Sequence, residues 1–148
     1  MATLNPPAVC FKHNLPMSRK LPQITSDSSA FWQGGEAGRL MIHRCGACRR
    51  FFHPPAPMCP RCGSMDVATE PTSGRGRVAT FTVNHHAWKP ELTEHYVVAI
   101  IELDDQPGLR LLSNVVGMQP EHVRIDMPVQ VRFEQHEDVW LPLFEKAE

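Results

Sequence analysis

The chain has 148 residues, 42% hydrophobic and 21% charged, enough apolar content for one ordinary core and too much for wholesale disorder. A formal net charge of −1 predicts no strong attraction to nucleic acid or to an anionic lipid surface. No run approaches the roughly 18 apolar residues that a membrane span needs, and the first 23 residues carry four prolines and no apolar signal core; with five cysteines this predicts a reduced, cytoplasmic setting in which cysteines serve as metal ligands.

Residues 1–26 are Pro-rich, polar and aperiodic, and read as an extended or disordered arm holding Pro6, Pro7, Pro16 and Pro22, with Cys10 as a free thiol. Asp27 or Ser28 is placed to cap a short helix through Ser28–Trp32 that Gly34-Gly35 would end. Phe31 and Trp32 are large apolar groups just ahead of a cysteine-rich segment. Two readings fit them: they pack onto the domain, or they anchor a partner protein.

The strongest signal is Cys45-x2-Cys48-x10-Cys59-x2-Cys62. Each CxxC pair puts two thiolates on one tight turn, and a ten-residue link lets the second turn fold back to complete a tetrahedron. Gly63 suits the left-handed conformation that such knuckles need. Four protein ligands leave no open position for water, so the site is expected to be structural, with one zinc ion. Iron is the second choice, because Cys59-Pro60-Arg61-Cys62-Gly63 also resembles a rubredoxin knuckle and soft thiolate tetrahedra accept either metal. Residues 27–70 are thus read as a short helix plus a zinc ribbon. Five arginines and no acidic residue fall between Gly38 and Cys62. Arg44, Arg49, Arg50 and Arg61 either offset the anionic thiolate cluster or meet a partner or phosphate.

Residues 66–76 read as a linker, and residues 71–148 as an all-β domain. Val78–Val83 alternates and is β-branched; Tyr96–Leu103 is almost wholly apolar, as for a strand covered on both sides. Asp104–Gly108 is turn chemistry, and Leu109–Val116 the return strand. Gln119–Val123 reads as one helical turn with Pro at its first position. Val129, Val131 and Phe133 alternate with polar residues, and Val139–Phe144 follows a turn. Five strands in this order predict a small Greek-key barrel of the oligonucleotide/oligosaccharide-binding (OB) type, with an open β-sandwich as the alternative.

Other chemistry is sparse. His85-His86 begin a long loop with Trp88, Lys89, Glu91, Glu94 and His95, where they serve as acid, base or metal ligand, or as ordinary surface histidines. Ser113 has no Gly-rich elbow around it, and no Rossmann, phosphate-loop or HExxH motif is present. A single-stranded nucleic-acid binder would need a basic groove with aromatic platforms. From Gly74 onward there are seven Lys/Arg against twelve Asp/Glu, and Phe81, Trp88, Tyr96, Phe133, Trp140 and Phe144 fall mostly at core strand positions.

From Ala30 to Phe144 the chain resembles the acyl-CoA-associated OB-fold proteins with a rubredoxin-like zinc ribbon, the family known as domain of unknown function thirty-five. The resemblance rests on Phe31-Trp32, Arg44-Cys45-x2-Cys48, His53-Pro54-Pro55 with Cys59-Pro60-Arg61-Cys62, Ser73-Gly74-Arg75-Gly76, Tyr96-Val97-Val98-Ala99, Leu112–Gly117, Met127-Pro128-Val129 and Leu141–Phe144. It implies a non-catalytic accessory subunit that binds a dimeric thiolase-like enzyme, two copies per enzyme dimer, acting on acyl-CoA thioesters. The wording His-Pro-Pro and Ser-Asn-Val-Val-Gly resembles members that serve a thiolase-like aldolase in steroid side-chain degradation. A MaoC-like enoyl-CoA hydratase is the alternative partner, and Arg44, Arg49, Arg50 and Arg61 are the candidates for CoA phosphates.

Overall fold

The computed structural model describes residues 20–86 and 94–148. The expected arm up to residue 19, Cys10 included, and the loop residues Trp88, Lys89 and Glu91 lie outside them.

A single α-helical turn, α1 (Ser29–Gln33), opens the described structure. Ser28 stands at its N-cap without capping it; its hydroxyl instead accepts from the Thr25 N–H at 3.0 Å. The α-helix ends at Gln33 with Gly34 as its C-cap, as the glycines predict, but the chain does not leave the helical path there. It continues as a 3-10 turn, Gly34–Ala37, which stops at Gly38 in the left-handed region (φ 66°). Packing explains why glycine stands at position 35. A Cβ there would lie 2.5 Å from both the Phe133 ring and Trp140 Cβ, so the turn rests directly on the barrel wall.

An antiparallel three-stranded sheet follows, in the order β2–β1–β3, built from β1 (Met41–Cys45), β2 (Phe51–Phe52) and β3 (Val67–Pro71). The sequence placed β3 in a linker. Its Thr, Glu and Pro give weak strand character, and it is pairing along the whole of β1, from Met41↔Pro71 to Cys45↔Val67, that makes it a strand.

Five strands then close a barrel: β4 (Arg75–Asn84), β5 (Tyr96–Leu103), β6 (Arg110–Val115), β7 (Pro128–His136) and β8 (Val139–Lys146), ordered β4–β5–β6–β8–β7. This is the five-stranded OB architecture expected, and closure removes the sandwich alternative. The predicted helical turn is a 3-10 turn at Pro120–His122, with Pro at its start. Strand β5 corrects one expectation. Val97, Ala99, Ile101 and Leu103 are buried, but the alternate residues are only half-buried, so the strand has one dry face and one partly wet face. The seams are uneven: β7 and β8 pair over eight registered positions, whereas β6 meets β8 in parallel through one, Val115↔Phe144.

One core joins the two parts. Phe31 of the helix, Ile42 of the ribbon sheet and Leu40 just before that sheet pack in the same cluster as Val78, Ile101, Val129 and Phe144 of the barrel. Burial of these side chains stabilises both parts at once, at ~1.5–3 kcal/mol for each fully buried large apolar group. A second, smaller cluster gathers Cys45, Phe52 and Cys59 around the metal motif. Among the described residues no helix is long and apolar enough to cross a membrane.

Candidate metal centre

Two knuckles carry the cysteines, and their backbones repeat one pattern. In the first, the Arg49 N–H donates to Cys45 C=O at 3.0 Å and the Cys45 N–H to Arg50 C=O at 2.9 Å. In the second, the Gly63 N–H donates to Cys59 C=O at 3.0 Å and the Cys59 N–H to Ser64 C=O at 2.9 Å. The residue after each second cysteine is left-handed. Gly63 (φ 73°) takes that conformation at no steric cost, as the sequence suggested, but its counterpart is Arg49 (φ 60°), a side chain that the motif did not reveal. A hydrogen bond from the Gly46 N–H to Asp66 C=O (2.8 Å) ties the first knuckle to the segment that leads from the second knuckle into β3.

This geometry brings the four sulfurs into one cluster. Cys45 and Cys62 Sγ are 3.6 Å apart, Cys48 and Cys59 Sγ 3.7 Å, and all four lie within 4.8 Å of one another. A tetrahedron with metal–sulfur bonds of about 2.3 Å has edges of about 3.8 Å, so the set is spaced to enclose one ion. Cys45 and Cys59, the first cysteine of each knuckle, are buried, while Cys62 is exposed. The backbone also prepares charge. N–H groups of Cys62 and Arg61 aimed at Cys59 Sγ hold its thiol down at about 6, and the Cys48 N–H lowers that of Cys45. At Cys62 the Ser64 N–H favours the thiolate, but the sulfur of Cys45, burial and the remaining sulfurs outweigh it and push the thiol up to about 11. Crowded sulfurs that cannot all ionise alone are what a dication relieves. Four thiolates in this arrangement suit zinc or iron and leave no position for a substrate.

The arginines divide. Arg44 Nη1 lies 2.6 Å from Glu70 Oε2, Arg49 Nη2 lies 3.2 Å from Glu70 Oε1, and the Arg44 Nε–H donates to Arg49 C=O at 2.8 Å. Arg44 also covers the Phe51 ring, 4.6 Å from its centroid. Both cations, Arg44 foremost, hold the Glu70 carboxyl below its usual range, and Glu70 in turn braces the left-handed residue of the first knuckle. Arg50 is half-buried and Arg61 exposed on the second knuckle.

Of the aromatic pair, Phe31 is only 5% exposed, edge-on to Trp32 (4.7 Å) and 5.1 Å from the His53 ring. This placement is packing, so Phe31 does not fit the anchor reading; the register of the helical turn faces it inward. Trp32 is half-buried between the main core and the cluster of Val139, Leu141 and Leu143. His85 and His86 are exposed at the end of β4. The Ser113 hydroxyl donates to Pro142 C=O at 2.6 Å, which engages it in strand structure.

Three residues carry more than the sequence suggested. Besides Glu70, the turn at residues 104–108 clasps the ribbon: Asp105 accepts from the Ser73 N–H (2.9 Å) and hydroxyl (2.7 Å), and Gln106 pairs with the backbone of Phe51. The turn residues were legible; their partners, dozens of residues away, left no local signal.

These features define a class, a four-cysteine ribbon seated on a closed OB barrel and sharing its core. The model of the ChsH2 rubredoxin-like zinc ribbon domain matches residues 32–68, and that of the ChsH2 C-terminal OB-fold domain matches residues 69–134. The chain belongs to this ChsH2, or DUF35, family. It is 39% identical over 130 residues to the probable enoyl-CoA hydratase alpha subunit of Thermomonospora curvata, covering 87% of this chain and 40% of that protein. It is 35% identical over 114 residues to the 3-oxo-4,17-pregnadiene-20-carboxyl-CoA hydratase alpha subunit of Mycobacterium tuberculosis, covering 76% of this chain and 35% of that one. The chain therefore spans well under half the length of these relatives. Among solved structures, the Ltp2-ChsH2(DUF35) aldolase has a chain that matches with a TM-score of 0.77 and 38% identity, over 86% of this chain and 100% of that one.

Proposed function

We propose that this chain is a non-catalytic accessory subunit that binds and supports a thiolase-superfamily enzyme acting on acyl-CoA thioesters, in steroid side-chain breakdown. The observation that carries the reading is the match to the full length of a chain in the Ltp2-ChsH2(DUF35) aldolase, against a minor part of the hydratase subunits. The chemistry of the site agrees. A closed four-thiolate centre, taken to hold zinc, stiffens a small platform, and stiff surfaces lose little conformational freedom on docking. A two-fold symmetric enzyme would take two copies, one per protomer. Arg44 and Arg49 are engaged by Glu70, so contacts to CoA phosphates would fall to Arg50 and Arg61.

Co-expression with a thiolase-like protein from the same genome, followed by size-exclusion chromatography with mass determination, tests the reading. The expected result is a complex of two enzyme protomers with two copies of this chain. Assembly should confer aldol cleavage of an acyl-CoA, while this chain alone shows none. Exclusive assembly with a MaoC-like hydratase, or turnover by the lone chain, would overturn it.

A further inference from the structure

We propose that His85 and His95 form a second metal site, a two-imidazole site for a divalent transition ion such as Ni²⁺, Cu²⁺ or Zn²⁺. The backbone sets up the pair. Strands β4 and β5 are in register through Val83↔Val97 and Asn84↔Tyr96, and one further step along the same ladder places residue 85 opposite residue 95. Directly opposed residues on neighbouring antiparallel strands put their Cβ atoms about 4.5–5.5 Å apart on one face. The imidazoles meet accordingly, with Nδ1 atoms 3.2 Å apart, ring centroids 4.4 Å apart and ring planes at 76°.

That separation is what an ion requires. Metal–nitrogen bonds of about 2.0–2.1 Å place two ligating nitrogens about 2.9 Å apart at a right angle and about 3.3 Å apart at the tetrahedral angle. Both side chains are exposed, so small rotations can aim the two lone pairs at one point. In the neutral pair one Nδ1–H donates to the other Nδ1; with an ion bound, each ring carries its proton at Nε2, and no net proton is lost. Imidazole suits nickel, copper and zinc, and among the described residues no third thiol, carboxylate or imidazole completes the set. Among the described residues the remaining positions are left to water or to a ligand from outside. This differs from the closed sulfur centre in both donor and openness, and it joins His85 to His95 rather than to its sequence neighbour His86.

The test is calorimetric titration of Ni²⁺ into the full chain with zinc already at the four-cysteine centre. Zinc is measured before and after to show that it is not displaced. One nickel ion per chain is expected. His85→Ala and His95→Ala should each weaken uptake by about tenfold or more, since a single exposed imidazole remains. His86→Ala should bind as wild type, and melting temperatures of all three variants check that each is folded. Absence of nickel uptake by the wild type, or unchanged uptake by His95→Ala, would overturn the proposal.

Discussion

The side-chain amide of Gln106 pairs with the backbone of Phe51 as a strand would: the Phe51 N–H donates to Oε1 at 2.9 Å, and Nε2 donates to Phe51 C=O at 3.0 Å. Strand β2 is an edge strand of two residues, and this contact occupies its open side. Replacing Gln106 by Ala removes both bonds from a partly buried backbone and should cost about 1–3 kcal/mol. Gln106→Glu should cost at least as much, because a carboxylate cannot donate to the Phe51 carbonyl. Urea unfolding monitored at equilibrium decides; equal stability of wild type and Gln106→Ala would show that water replaces the amide without loss.

Contact between the 3-10 turn and the barrel predicts intolerance to a single methyl group. Gly35→Ala drives its Cβ into the Phe133 ring and Trp140 Cβ, and overpacking of this kind typically costs ~1–3 kcal/mol. Phe31→Ala acts oppositely, leaving a cavity where the two parts meet, with an expected loss of ~3–5 kcal/mol. Thermal and urea melts of the two variants measure both effects.

Arg49 holds a left-handed backbone that glycine would adopt freely. Arg49→Gly relieves that strain but gives up the ion pair to Glu70, so the two effects offset and stability should change little. Glu70→Gln gives up the charge that pairs with both arginines and brings no relief, so metal should leave faster. Release of zinc to a coloured chelator, followed by absorbance, should rank the variants with Glu70→Gln fastest. The reverse order would show that backbone strain at Arg49 dominates.

His53 gives stability a pH dependence of definite sign. Burial, and then the neighbouring charge of His43, lower its pKa from the ordinary 6.5, so the fold favours the neutral ring. The unfolded chain takes up a proton near 6.5 while the folded chain does not. The contribution is fully present above that value and is lost progressively as pH falls toward the depressed folded pKa. Urea midpoints in excess zinc between pH about 5.5 and about 7.5 should fall on acidification, and fall less in His53→Gln. Parallel curves for the two proteins would assign the acid loss to other groups.

Local chemistry decided what could be read from the sequence. Four cysteines at fixed spacing, alternation at Val129–Phe133 and the turn at Asp104–Gly108 each express structure within a few residues of themselves, and all three are where the spacing puts them. Strand β3 was missed because Val67–Pro71 gains its conformation from β1, more than twenty residues earlier. Phe31 was ambiguous for a similar reason: an aromatic before a ribbon reads alike whether a barrel or a partner covers it. His85 drew notice beside His86, yet its structural neighbour is His95, which only the β4–β5 register reveals.

The barrel wall is least continuous where β6 meets β8. One registered pair, Val115↔Phe144, the hydrogen bond from the Val116 N–H to Phe144 C=O at 2.8 Å and that from the Ser113 hydroxyl to Pro142 C=O at 2.6 Å span that junction. Opening there breaks few hydrogen bonds, whereas parting β7 from β8 breaks a full ladder. Breathing of the wall should therefore begin at this junction, and the Val116 amide should exchange its hydrogen with solvent sooner than the amides of the β7–β8 ladder.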